Sequence, residues 1–141
     1  MTFAQLALLH LLPTAFMTGV IWFVQVVHYP LFAAVDERSF RAYEERHTVL
    51  TTWVVLPPMV AELALAGWLV ARAPVEAHAA AVAGAAMVGG IWLSTFAVQV
   101  PCHARLGSGF CPRAWRLLVR SNWLRTALWS ARLALATWLL W

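Results

Sequence analysis

Apolar residues fill four stretches of the chain, 3–27, 48–71, 77–100 and 123–141, and polar residues gather in the short segments between them. Each stretch is close to the roughly 20 residues that an α-helix needs to cross about 30 Å of hydrocarbon. The pattern predicts an all-α fold, an integral membrane four-helix bundle forming one domain over residues 1–141. The first stretch lacks a basic leading segment and runs too long before the polar segment 36–46 to read as a cleaved leader, so it is expected to remain as a helix. Helix ends are expected at Pro30, at Pro74, and at Pro101 with Gly107 and Gly109. Pro57-Pro58 falls inside the second helix and should kink it, with the freed carbonyls facing protein rather than lipid. Gly84, Gly89 and Gly90 among alanines give the third helix a slender surface for close packing.

Composition sharpens this picture, since 62% of the 141 residues are hydrophobic and only 11% charged. The ten basic residues are all arginine, which excludes lysine Schiff-base chemistry of the retinal-protein kind. Arg38, Arg41, Arg46, Arg105, Arg113, Arg116 and Arg120 lie in the first and third loops, against Arg72 in the second. The positive-inside rule then puts loops one and three in the cytoplasm and both termini outside. The net charge of +4 is accounted for by topology and by contact with anionic lipid, so no nucleic-acid partner is implied. Cys102 and Cys111 share the third loop on the reducing side, at a spacing that matches no common zinc pattern, so neither a disulfide nor a cysteine metal site is expected. Trp53, Trp68, Trp115, Trp123, Trp138 and Trp141 fall near the interfaces as an aromatic belt, while Trp22, Trp92 and Trp129 sit deeper. Asp36, Glu37, Glu44 and Glu45 alternate with arginines and read as a solvated surface, with Phe40 and Tyr43 laying a short amphipathic helix on the membrane.

The two halves echo one another. Gly19-Val20-Ile21-Trp22 followed by Val24-Gln25-Val26 is matched by Gly90-Ile91-Trp92 followed by Val98-Gln99-Val100. A histidine and a proline follow each glutamine, which suggests two repeated helical hairpins related by an axis along the membrane normal.

The polar residues within the apolar stretches fall at helical spacings. Thr18, Trp22, Gln25 and His28 share one face of the first helix, and Trp92, Thr95, Gln99 and His103 share one face of the third. The second helix opens with His47 and Thr51, the fourth with Asn122 and Arg125, at the same cytoplasmic depth. Groups of this kind are costly in lipid and should point inward. His28, His47 and His103 together can hold zinc, iron or copper, two of them can ligate a haem, and the alternative is a hydrogen-bonded network without a cofactor. His10 and His78 lie toward the other side and read as ordinary. Glu62 and Arg132 both fall near mid-bilayer and should form a buried ion pair, with Glu62 either a structural clasp or a proton acceptor.

Val100-Pro101-Cys102-His103 with Leu106, then Trp115, then Asn122 with Arg125-Thr126, resembles the membrane family named after anthrone oxygenase. That family carries Val-Pro-x-Asn-x-x-Leu after its third helix and Asn-x-x-Arg-Thr entering its fourth, so His103 stands where the family has asparagine. The resemblance covers mainly the second half. It implies a four-helix fold, a bacterial inner-membrane setting and, for the members with an assigned activity, oxidation of a polycyclic phenolic anthrone to a quinone by O₂. Such chemistry would use His47 or His103 as base, Asn122 and Arg125 to hold the oxyanion, Trp22 and Trp92 as an apolar wall, and Gln25 and Gln99 as ligand-binding groups. The competing expectation is a non-enzymatic binder of haem, quinone or lipid, or an accessory subunit in a homo-oligomer or larger membrane complex.

Overall fold

A computed structural model describes residues 1–140, so Trp141, placed above in the aromatic belt, lies outside the described residues. The chain forms four long helices, α1 (Phe3–Ala34), α2 (Glu37–Arg72), α3 (Val75–Leu106) and α4 (Pro112–Trp138). The first three are each long and apolar enough to cross a membrane. Helix α4 has 27 residues, about 40 Å, but carries Arg113, Arg116, Arg120, Arg125 and Arg132 along its length. Neighbours pack in a ring, α1 on α2, α2 on α3, α3 on α4 and α4 on α1.

The helices outrun the apolar stretches because their polar flanks are helical too. Asp36 caps α2 by accepting the Arg38 backbone N–H at 3.0 Å, so the run 36–46, expected as loop, is the first turns of a helix. His47 and Asn122 therefore lie well inside α2 and α4 instead of opening them. At the other end Thr2 and Gln5 form a capping box, the Gln5 N–H donating to Thr2 Oγ1 at 3.2 Å and the Thr2 N–H to Gln5 Oε1 at 2.9 Å.

Neither Pro30 nor Pro101 ends its helix, contrary to the expectation from sequence. Just before each proline the helix widens into a π-turn, Val24–His28 in α1 and Thr95–Gln99 in α3. Tyr29 N–H donates to the Val24 carbonyl and Val100 N–H to that of Thr95, five residues back. Proline has no N–H to donate and its ring crowds the carbonyl four residues back. A turn one residue wider shifts the ladder, and the helix continues past the ring. The same distance along the chain separates Val24 from Thr95 and Pro30 from Pro101, so the halves do match as π-turn plus proline. In that register His28 is the counterpart of Gln99, and the two glutamines are not counterparts. Helix α3 ends at Gly107, and Gly109 takes φ 130°, a left-handed conformation suited to glycine, in the turn toward α4.

Helix α2 runs through Pro57-Pro58 without a break. Pro57 is exposed and Pro58 half-buried, so the pair lies beside the buried stripe Met59–Glu62–Ala66–Leu69 and faces outward, not toward protein as expected. In α3, a Cβ on Gly84 would stand 3.6 Å from Leu135, and one on Gly90 3.4 Å from Leu128, as close packing on α4 requires. Gly89 has open space around it and takes no part.

Three apolar layers fill the bundle, one at the end of the α1–α2 and α3–α4 connections (around Phe32, Phe40 and Leu106), one in the middle (Met17, Ile21, Ile91, Trp129) and one at the far end (Leu6, Leu69, Ala81). Phe40 is fully buried and belongs to the first layer, so it does not lie on the membrane surface as its sequence context implied. Between the middle and far layers the expected pair forms, Arg132 Nη2 lying 3.5 Å from Glu62 Oε1. The indole N–H of Trp129 donates to Glu62 Oε2 at 2.9 Å, and Arg132 Nη2 lies 2.7 Å from His10 Nε2. His10 is thus a buried partner of the arginine and not an ordinary surface group, whereas His78 is exposed. Trp53, Trp68, Trp123 and Trp138 point outward as belt residues would. Trp115 is half-buried and donates its indole N–H to the Tyr29 carbonyl at 2.9 Å.

Candidate functional site

The other polar layer lies between the first and middle apolar layers. The π-turn in α1 sets His28 and Tyr29 toward the bundle, and the one in α3 does the same for Gln99 and, one turn on, His103. Helix α2 contributes Glu44, His47 and Thr51 at spacings of one turn. His28 Nε2 lies 2.9 Å from His47 Nδ1, which is also 3.0 Å from the Thr51 hydroxyl. His103 Nδ1 lies 2.5 Å from Glu44 Oε1, and its Nε2 lies 3.1 Å from the Tyr29 hydroxyl. The imidazoles of His28, His47 and His103 stand close, with ring centroids 4.7 Å apart for the first two and 5.2 Å for the last two.

The chain of polar contacts continues into α4. The Arg125 guanidinium lies against the Tyr29 hydroxyl and donates through Nη1 to Asn122 Oδ1 at 3.1 Å. Asn122 Nδ2 donates to Gln25 Oε1 at 3.0 Å, and Gln25 Nε2 donates to the Val119 carbonyl at 3.2 Å. Gln25, Tyr29, Glu44, His47, Asn122 and Arg125 are each more than nine-tenths buried, His28 and Thr51 are half-buried, and the His103 side chain is 15% exposed. Three buried groups of this layer keep an atom without a partner, Glu44 at Oε2, Gln99 at Oε1 and Arg125 at Nε.

Beside this layer lies a cavity of about 590 Å³. Its deep wall is apolar (Met17, Ile21, Val24, Val55), and its polar wall is Glu44, His47, Gln99, His103 and Arg125. Thr48 is half-buried, and Thr52 on α2 and Val100 and Ala104 on α3 are exposed cavity residues, so the mouth opens between those two helices. The volume falls within the range of small-molecule sites.

The structure sorts the expected site residues into those that reach the cavity and those that do not. His47, His103, Arg125 and Gln99 line it. Asn122 and Gln25 sit behind Arg125 and orient it, so an oxyanion in the cavity would meet the arginine and not the asparagine. His28 stands behind His47. Trp22 and Trp92 do not form the wall expected of them. Trp22 is 44% exposed on the outer seam of α1 and α4, bonded to Ser130 at 3.0 Å and edge-on to Trp123. Trp92 stacks on the exposed Phe96.

Glu44 and Tyr29 were not expected here. Glu44 was expected to be solvated, yet it is 1% exposed, and the group of metal-capable donors brought together is Glu44, His47 and His103 in place of the three histidines. Their donor atoms lie within 4.8 Å of one another. The spacing Glu44-x-x-His47 on one helix was a usable signal, since residues three apart share a face. Compared with known proteins, the chain matches no family model, no curated protein and no solved structure.

Proposed function

We propose that the cavity binds a small, flat hydrophobic molecule with an acidic hydroxyl or enolisable carbonyl, phenolic or quinone-like, and that the protein is an oxidoreductase acting on its anion. What carries the reading is one arrangement: an apolar slot ending on a wall where Glu44, His103 and Tyr29 are hydrogen-bonded in sequence and a buried arginine keeps Nε unpaired. His47 or His103 takes up the proton, with Glu44 holding His103 in orientation. Arg125 stabilises the anion, and Asn122 and Gln25 hold the guanidinium in place. In the reaction suggested by the anthrone-oxygenase resemblance, loss of the proton precedes oxidation of a methylene to a ketone by O₂, with water as the second product.

A chelator-treated sample in detergent tests the acid–base part by itself. A coloured phenol, titrated about one unit below its solution pKa, is expected to bind as phenolate and show the phenolate band, with affinity at least about tenfold lower in His103→Ala. Binding in the neutral form only, or an unchanged His103→Ala, would sink the reading.

The arginine distribution supports an orientation with the polar cavity at the cytoplasmic face and both termini outside. Cys111, in the connection between α3 and α4, reports on this. A backbone hydrogen bond from Ala114 lowers its thiol below the usual range, and Cys102 is buried. A membrane-impermeant maleimide is expected to label Cys111 in inverted vesicles and not in intact cells, and the reverse pattern would turn the protein over.

A further inference from the structure

We infer that Glu44, His47 and His103 form a binding site for one divalent first-row transition metal, with His28 in the outer shell. The inference deepens the reading above by naming what loads its polar wall, and it rests on that reading only for what the metal then faces.

Four observations converge. The donor atoms of the three residues already lie within 4.8 Å of one another. Ligand atoms on a metal bound at about 2.0–2.2 Å stand roughly 3 Å apart, so side-chain shifts of about 1–2 Å close the site. The outer shell is also in place, because a ligating imidazole keeps its other ring nitrogen on a polar partner. His47 has Nδ1 on His28 and Thr51, leaving Nε2 for the metal. His103 has Nε2 on Tyr29, leaving Nδ1, the atom that now faces Glu44.

Glu44 supplies the third observation. It is 1% exposed, and its Oε2 has no hydrogen-bond partner, which is an unmet acceptor that a cation satisfies. The fourth is access, since all three residues line the cavity, so the coordination positions they leave open face a bound molecule. Two imidazoles and one carboxylate with open positions suit Fe²⁺, Co²⁺ or Zn²⁺ better than Mg²⁺ or Ca²⁺. The ligands bring one negative charge to a dication, and Arg125 lies in the same cavity, so the loaded site attracts an anion. The acid–base role given above to His47 and His103 belongs to the metal-free protein, and in the loaded site the charge of the metal adds to that of Arg125 in favouring the anion.

Tag-free protein, stripped with chelator and titrated with Co²⁺ in detergent, decides the matter without any substrate. Wild type is expected to bind one Co²⁺ per chain, with visible ligand-field bands and a raised melting temperature. Glu44→Gln and His47→Gln should each lose at least about a hundredfold in affinity, and His28→Ala about ten- to a hundredfold, as an outer-shell change does. Cys111→Ser should bind as wild type does. Absence of stoichiometric binding by wild type overturns the site whether or not the variants fold. So does wild-type affinity in a helical Glu44→Gln, loss in Cys111→Ser, or a His28→Ala defect as large as that of His47→Gln, which would indicate a three-histidine set. Because the phenol titration is run metal-free, either result can fail without the other.

Discussion

Arg132→Ala is expected to destabilise the bundle by about 3–5 kcal/mol. The arginine is 1% exposed and holds both Glu62, at 3.5 Å, and His10, at 2.7 Å. Truncation leaves the Glu62 carboxylate buried with the Trp129 indole N–H as its one remaining donor. The large term is the uncompensated charge, not the loss of an attraction, and this makes a second arm informative. Replacing both partners, Glu62→Gln with Arg132→Met, removes the charges together and should recover most of the loss. Denaturant unfolding in detergent, followed by helical circular dichroism, measures both. A single variant that costs less than about 1 kcal/mol would mean that water reaches the pair. A double variant as damaged as the single would mean that packing, not charge, is what Arg132 provides.

Arg125→Met should lower turnover of a phenolic substrate by about 10²–10³-fold while leaving the fold in place. Methionine keeps much of the length and apolar volume, so the neighbouring Trp129 ring, 5.1 Å from the guanidinium carbon, stays covered. What disappears is the positive charge that Arg125 brings to the cavity wall. The structural cost falls on Asn122 Oδ1, which loses its donor, a matter of about 1–3 kcal/mol, and on the Tyr29 hydroxyl and Trp129 ring, which lose the guanidinium beside them. Discrimination between a phenol and its methyl ether gives a second readout, because wild type should prefer the ionisable ligand and Arg125→Met should not. Turnover within tenfold of wild type, with the preference retained, would remove Arg125 from the anion site.

The four helices were legible because bilayer thickness imposes a length and a hydropathy that few other structures share. Their ends were not, since the polar residues 36–46 and 112–122 continue the helices on the strength of the Asp36 cap and of proline at the start of α4. Pro30 and Pro101 misled for a related reason: proline forbids an ordinary turn but not a wider one, and nothing in the residue pattern distinguishes a break from a π-turn. The Glu62–Arg132 pair could be read by counting depth along two helices, because charges at mid-bilayer must find each other. Glu44 could not be read by its charge. It sits in a run where acids and arginines alternate, a composition typical of a wet surface, and only the packing of α2 over α1 and α3 takes it inside. Trp22 failed in the opposite direction, an aromatic on the right face of an ideal helix that a neighbouring hydroxyl and the Trp123 ring hold on the outer seam.

The paired π-turns divide each of α1 and α3 into two segments whose angular phases are set independently. Upstream of the wide turn the buried side of α1 runs through His10, Thr14, Met17 and Ile21, the turn itself buries Val24 and Gln25, and the backbone bond from Tyr29 to Val24, five positions back, brings Tyr29 inward beyond it. In α3 the same step joins Ser94 to Gln99, whose amide donates to the Ser94 hydroxyl at 3.3 Å. Beyond that step every side chain is turned by about one residue, roughly 100°, relative to a continuous α-helix. Tyr29, Gln99 and His103 owe their inward aim to that offset, supplied twice, and the far end of the bundle does not depend on it. A chain shortened by one residue in either wide turn would keep its membrane-spanning length and its Glu62–Arg132 pair, and would rotate Tyr29 or His103 out of the cavity.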